Sequence, residues 1–279
     1  MPSKWDRKSY LARIEDTKLR KRHPAASPDE TDIACYRAAL EGRACTDVAI
    51  VLGMTPELRV LASSHFPRVV SAERNPVAID LFREWLDEAG RSREEIIRTD
   101  WMDLDQHVPQ PVSAILGDGV FGNLSDVEGY LDLLLKLRKL LRQDGRLATR
   151  MAFIPRNFEP DRNSMEALQQ RFRNGTIDEA EFGFGTRLVG HYRCCYDPAS
   201  FLLDNKKLFS ECQEAFSRGK ISRSEHECIE RYYFGGMNCI VTQEIWEQLL
   251  LAAGFGYRIH KSSGKEWREY YVVYECVPQ

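Results

Sequence analysis

The sequence predicts an α/β protein: a mostly parallel sheet of seven strands, helices on both of its faces, and a helical insertion before the last helix. Three observations predict it. First, short β-branched runs recur between residues 48 and 118, each ending in a small or acidic residue: VAIVLG (48–53), RVVSAE (68–73), IIRTD (96–100) and VSAILGD (112–118). Second, stretches with helical apolar spacing separate them, the pattern of parallel strands joined by crossover helices. Third, this alternation stops after residue 154 for roughly ninety residues, far more than an ordinary connection, and resumes with one helix and two strands.

The elements follow in order. Residues 1–44 read as a polar helical segment, anchored by Trp5, Tyr10 and Leu11, with a helix start at Ser27 followed by Glu30. The basic run KLRKRH (18–23) reads as a solvated helix face. After the first strand, Thr55–Pro56 opens a helix, because Thr can cap and Pro suits the first turn. Asn75–Pro76 opens the next, which Gly90 is expected to close. Ser125 with Glu128 forms a capping-box signature before a strong apolar stripe, and RLATRM (146–151) is the fifth strand. Helical patterns mark 164–173, 206–218 and 222–233 within the insertion. A capped helix at 242–255 and the runs YRIHKS and YYVVYECV, which look like a hairpin, complete the chain. The expected division is 1–44, a core of 45–154 with 240–279, and an insertion of 155–239.

In parallel sheets of this kind the ligand lies beyond the carboxyl ends of the strands. Gly53, Glu73, Asp100 and Asp118 should therefore converge on one crevice, where a nucleoside would fit.

These strands and the loops VLGMTPEL and GDGVFGNL, with the AAGF helix end and the closing hairpin, resemble the class I S-adenosylmethionine-dependent methyltransferases over roughly 47–151 and 242–277. The resemblance implies a Rossmann-like sheet with an antiparallel last strand, S-adenosyl-L-methionine as cofactor and methyl transfer as the reaction. It places Glu73 on the ribose, twenty residues after Gly53, and Asp100 with Trp101 or Met102 on the adenine. Gly53, Met54, Thr55 and Arg74, with Gly117, Asp118 and Gly119, complete the implied cofactor site. Two departures stand out. Val51 occupies the place of the family's usual acid, and of its glycine-rich loop only Gly53 remains. Thr–Pro still delivers a helix N-terminus with free N–H groups. The missing glycines argue against a nicotinamide dehydrogenase, which must approach a pyrophosphate.

Residue by residue, plainer roles stand beside these. Glu73 is otherwise an exposed strand-end acid, Asp100 a helix cap, Asp118 a turn former, and Trp101 or Met102 core. The insertion is expected to act as a lid that recognises substrate, with Arg187, Tyr196, Tyr232 and Tyr233, and Asn123 from the fourth strand's loop, as contacts. His191, with Tyr192 beside it, is the candidate base if the acceptor is oxygen or nitrogen, and otherwise a structural hydrogen-bonder. Trp5 and Tyr10 either close over the cofactor or anchor the leading segment.

Composition bounds the class. Hydrophobic residues at 43% and charged residues at 29% suit a soluble globular protein, and a net charge of −3 supplies no field for nucleic acid or membrane. No stretch is long and apolar enough to span a bilayer, and MPSKWDRKSY has no apolar signal core, so a cytoplasmic protein is expected. Eight cysteines without CxxC spacing read as reduced thiols. Cys194–Cys195 with His191, His226 and Cys228 fit no standard zinc spacing, so no metal is expected. The predicted activity is methyl transfer to a small molecule. A non-catalytic binding protein with the same fold, or a protein methyltransferase, is the alternative, and the oligomeric state is left open, a homodimer included.

Overall fold

A computed structural model describes residues 6–16, 21–23, 27–42, 47–108, 110–162, 164–232, 235–262 and 264–279. Seven strands form the main sheet: β1 Val48–Leu52, β2 Arg68–Ala72, β3 Glu94–Ile97, β4 Val112–Asp118, β5 Leu141–Ala152, β6 Phe255–His260 and β7 Tyr271–Pro278. Their spatial order is β6-β7-β5-β4-β1-β2-β3. β7 runs antiparallel to both its neighbours, and the five others that adjoin one another run parallel. The expected fold class is the observed one.

Period-two alternation explains why β1 is apolar throughout. Ile50 and Leu52 face one core and Ala49 and Val51 the other, so a strand covered on both faces has no polar side to show. The first core takes Tyr130, Leu133, Leu134 and Leu137 from the helix Val127–Leu140, and Trp246 and Leu250 from the helix Gln243–Ala252. The second takes Tyr36 and Ala39 from the helix Glu30–Leu40, and Leu58, Leu61 and Ala62 from the helix Pro56–His65.

Several local expectations are corrected. The segment before Glu30 is not uniformly helical: after a short helix, Arg7–Leu11, it contains the antiparallel strands Ile14–Asp16 and Lys21–Arg22. The described part of the basic run is thus extended, and Arg22 pairs with Glu57 at the first turn of the helix Pro56–His65. The cap of the helix Glu30–Leu40 is Asp29, in a reciprocal box with Asp32, while Ser27 bonds back to the His23 carbonyl. Asp126 caps the helix Val127–Leu140 in place of Ser125, its carboxylate accepting from Gly129 N. In both cases a carboxylate one or two residues nearer the helix outcompetes the serine, since a charged acceptor also meets the positive end of the helix dipole. The helix opened by Asn75 and Pro76 ends at Phe82, and Gly90 lies inside a further short helix, Glu88–Arg93.

Between β5 and the helix Gln243–Ala252 lie the helices Met165–Arg173, Glu179–Gly185, Asn205–Ser217 and Arg223–Arg231. They are accompanied by a three-stranded antiparallel sheet of Tyr196–Asp197, Leu202–Asp204 and Met237–Cys239, which helical periodicity did not foretell. This region has its own apolar core, in which Phe182, Phe184, Leu188, Leu208 and Ile229 cluster with Trp267, from the turn before β7, and Tyr271, its first residue.

Candidate functional site

Register sets the site. Leu52 pairs with Gly117 on one side and Ala72 on the other, and Ala72 pairs with Ile97. Gly53 and Glu73 therefore leave the sheet level with Asp118, the last residue of β4. Four strands at the usual spacing span about 14 Å, the scale of a nucleoside with a short tail. The sheet order reverses between β4 and β1, which is where a parallel sheet opens its crevice.

Gly53, Glu73 and Trp101 meet there. Gly53 has φ of +90°, and a Cβ built on it would stand 3.6 Å from Glu73 Oε2 and 3.8 Å from Trp101 Cζ2. The positive φ favours glycine, and the backbone here comes within ordinary contact distance of both side chains in the crevice at the strand ends. Glu73 is held by its own turn: Oε1 accepts from Asn75 N at 2.7 Å. Burial pushes its carboxyl above the ordinary value, opposed by the backbone N–H groups of Asn75 and Arg74, with the nearby charge of Asp100 adding to the rise. Trp101 Nε1 donates to Ala72 O at 2.8 Å, which fixes the indole beside the crevice.

Arg74 and Asp100 stand on the rim, joined by a 2.8 Å ion pair. Asp100 also caps the short helix Trp101–Gln106 by accepting from Met102 N at 3.1 Å, so the cap role read from the sequence is present. Met102 packs against the main core. Met54 is buried with Ala78, Ile79 and Phe82, and Thr55 stands at the N-cap of the next helix without a side-chain cap bond. Tyr10 lies edge-on to Phe82 at 5.8 Å, accepts from Asn75 Nδ2 at 3.3 Å, and has its hydroxyl pKa raised by burial and then by the charge of Glu73. The leading segment thus borders the crevice through Tyr10; Trp5 lies outside the described residues.

Asp118 has a different environment. Its carboxylate accepts from Arg150 Nε at 2.7 Å, from Arg150 Nη2 at 3.2 Å and from the Tyr271 hydroxyl at 3.1 Å. Arg150 Nη1 donates to Asp32 at 2.6 Å, and the guanidinium lies 4.0 Å from the centre of the Tyr271 ring. Tyr36 donates to Gly117 O at 2.6 Å and accepts from Arg150 N. These partners were missed in the sequence. The available signal was Arg150 in RLATRM, a strand expected to be covered on both faces, since a buried cation demands anions. Gly117 and Gly119 pass close to this network: a Cβ at Gly119 would stand 2.5 Å from the Tyr271 hydroxyl.

The insertion reaches the fourth-strand loop through Asn238. Its Nδ2 donates to Gly122 O at 2.7 Å, and its Oδ1 accepts from Arg187 Nη2 at 2.9 Å and Asn205 Nδ2 at 2.7 Å. Arg187 is buried, and burial lowers its pKa to about 10. Asn123 donates to Gly119 O at 3.0 Å, so it braces its own turn. Tyr196 is buried and donates to Ile240 O, and Tyr192 stacks on it at 4.9 Å. Tyr232 is fully buried against Gly183, so it fills core; Tyr233 lies outside the described residues. His191 does not stand among the strand-end residues' hydrogen-bond partners. It joins Glu211, Cys194 and Cys212 instead. His226 stacks on Phe216 and Cys228 is buried beside Tyr232, apart from that group.

The fold finds counterparts among solved structures. The chain aligns over 100% of its length with 100% of a putative Zn-dependent alcohol dehydrogenase from Rhodobacter sphaeroides, at 15% identity and a TM-score of 0.59. It aligns over 93% of its length with 71% of a possible exported protein from Bordetella parapertussis, at 18% identity and a TM-score of 0.53. The fold is Rossmann-like: a mostly parallel seven-stranded sheet with one antiparallel strand and helices on both faces. The S-adenosylmethionine-dependent methyltransferase SibL aligns at 15% identity and a TM-score of 0.49, over 89% of this chain and 56% of that one. The chain spans a little over half the length of such methyltransferase structures. No protein-family model matches it, and no curated protein matches it in sequence. Among the described residues no helix is long and apolar enough to cross a membrane.

Proposed function

We propose that the chain is an S-adenosyl-L-methionine-dependent methyltransferase acting on a small molecule. The observation that carries this reading is the meeting of Gly53, Glu73 and Trp101 at the carboxyl ends of the strands, where a buried carboxylate and an indole flank a positive-φ glycine. The ionised Glu73 is an acceptor suited to a vicinal diol. The Trp101 face suits a purine, and the positive φ of Gly53 lets backbone approach it. When bound, the cofactor supplies an electrophilic methyl on a sulfonium. The chain supplies position and electrostatics. Glu73 holds the ribose end, Trp101 and the Arg74–Asp100 pair border the base, and Tyr10 borders the crevice from the leading segment. Asp118, fixed by Arg150 and Tyr271, carries its charge on the methionine side, where it favours an ammonium group.

A dehydrogenase reading, raised by the name of one structural neighbour, is disfavoured by the first turn. LGMTPE offers one glycine where a pyrophosphate needs several. Isothermal titration with S-adenosylmethionine, S-adenosylhomocysteine and NAD⁺ tests the proposal. Binding of the first two, and not the third, is expected. Binding of NAD⁺ alone, or of none, overturns it. Small-molecule rather than macromolecular acceptors are favoured by the mild net charge of −3.

A further inference from the structure

We propose that His191, Cys194, Cys195 and Glu211 form a zinc-binding site, a role separate from the strand-end crevice. One ligand atom from each residue lies within 4.8 Å of all the others. The individual separations carry the argument. Cys194 Sγ stands 3.7 Å from Cys195 Sγ, 3.5 Å from His191 Nδ1 and 3.3 Å from Glu211 Oε2. Cys195 Sγ stands 3.7 Å from that same oxygen, and His191 Nδ1 stands 3.4 Å from it. A tetrahedral zinc with ordinary bond lengths requires sulfur–sulfur edges of about 3.8 Å and mixed edges of roughly 3.4–3.6 Å. Five of the six edges fall at or within a few tenths of an ångström of those values. Two thiols, an imidazole and a carboxylate are also the donor set that selects zinc over the hard oxygen-seeking cations.

The surroundings agree. His191 Nδ1 faces the cluster, and Nε2 lies 3.6 Å from Cys212 Sγ. The ring is therefore oriented from behind, as metal-binding imidazoles are. With two thiolates and a carboxylate on a divalent cation the site carries a net charge of −1. Lys207 stands beside it, its ammonium donating to Cys194 O at 2.5 Å. Loading exchanges two thiol protons for the metal and needs no oxidant. The ligands come from the short helix Tyr192–Cys195, the residue capping it, and the helix Asn205–Ser217. The metal would clamp these two segments together. The H-x-x-C-C spacing followed sixteen residues later by Glu211 is no standard zinc pattern. The sequence expectation of no metal weighed Cys194–Cys195 with His191, His226 and Cys228, and did not include Glu211.

The test is titration of chelator-stripped, reduced full-length protein with Zn²⁺ against a chromophoric chelator, and with Co²⁺ followed by absorbance. One equivalent should bind. The cobalt form should show tetrahedral d–d bands and a thiolate charge-transfer band that weakens by about half in Cys194→Ser and again in Cys195→Ser. Glu211→Gln, at a half-exposed position, keeps the fold by circular dichroism and should weaken Zn²⁺ binding at least tenfold. Absence of competition with the chelator overturns the proposal. So does a cobalt spectrum unchanged by these substitutions, because the five separations would then reflect only thiol–carboxylate hydrogen bonds.

Discussion

Arg150 and Asp118 lie on neighbouring strands, β5 and β4, paired in register, and their side chains join at 2.7 Å with both fully or almost fully buried. A second carboxylate, Asp32, takes the other end of the same guanidinium at 2.6 Å. The helix Glu30–Leu40 is thereby tied to the carboxyl end of the sheet. Asp32 also closes the capping box of that helix through Asp29 N, at 3.2 Å. One arginine thus links the start of a helix, two strands and the Tyr271 ring.

Removing that cation should be costly. Arg150→Met leaves two carboxylates buried without their counter-charge, and loss of one partner from a buried pair costs about 3–5 kcal/mol. Urea unfolding should show a lower midpoint, with the extrapolated unfolding free energy reduced by that amount. The triple variant Arg150→Met, Asp32→Asn, Asp118→Asn should recover much of it. A near-neutral Arg150→Met would mean that the pairing contributes little.

Gly119 meets Tyr271 next to this network. Its φ of +60° and the 2.5 Å approach of a built Cβ to the tyrosine hydroxyl give two separate reasons for glycine. Gly119→Ala should destabilise by roughly 1–3 kcal/mol, combining backbone strain with a displaced tyrosine. Tyr271→Phe removes the clashing oxygen. In the double variant the two costs should therefore fall short of additive, with a coupling of at least about 0.5 kcal/mol in a double-mutant cycle. Strict additivity would rule out the contact as the cause.

The sheet was legible because its signals are local. VAIVL and VSAILGD are apolar over the length of a strand, and Asn75–Pro76 and Thr242 announce helix starts within a few residues. The meeting of Gly53 with Glu73 was legible for the same reason, since the two directly follow adjacent strands. What the sequence concealed depends on distant partners. Arg150 looks like any strand residue until Asp32, more than a hundred positions earlier, is folded against it. Glu211 gives no sign that it will face His191. Ser27 and Ser125 carry valid cap signatures, but nearby aspartates occupy the helix ends first. The small sheet Tyr196–Asp197, Leu202–Asp204 and Met237–Cys239 has strands of two or three residues, too short to show a period.

Glu73 allows a direct test of the cofactor reading. Glu73→Ala should weaken S-adenosylmethionine binding by about 1.5–3 kcal/mol, the range for hydrogen bonds to a charged group, which is roughly 10- to 150-fold in Kd. Isothermal titration measures it. Because Glu73 also accepts from Asn75 N, thermal unfolding of the unliganded variant separates lost affinity from lost structure. An unchanged Kd in a stable variant would move the ribose contact elsewhere.

The same carboxylate predicts a pH dependence. Its pKa in the unliganded fold is raised by burial, and only its ionised form can accept from both hydroxyls of a ribose. Binding must therefore favour the deprotonated state. Affinity should be flat above the raised pKa and fall as pH drops through it, by at most about tenfold per unit. The effect on the unliganded protein has the opposite sign. Between the unfolded value near 4.5 and the raised folded value, the folded state holds the extra proton, so this residue makes stability decline as pH rises. Glu73→Gln abolishes both slopes, lowering affinity at neutral pH while flattening its pH profile. Titrations of the two proteins from pH 4.5 to 8 give the comparison. Parallel profiles would show that some other group controls binding.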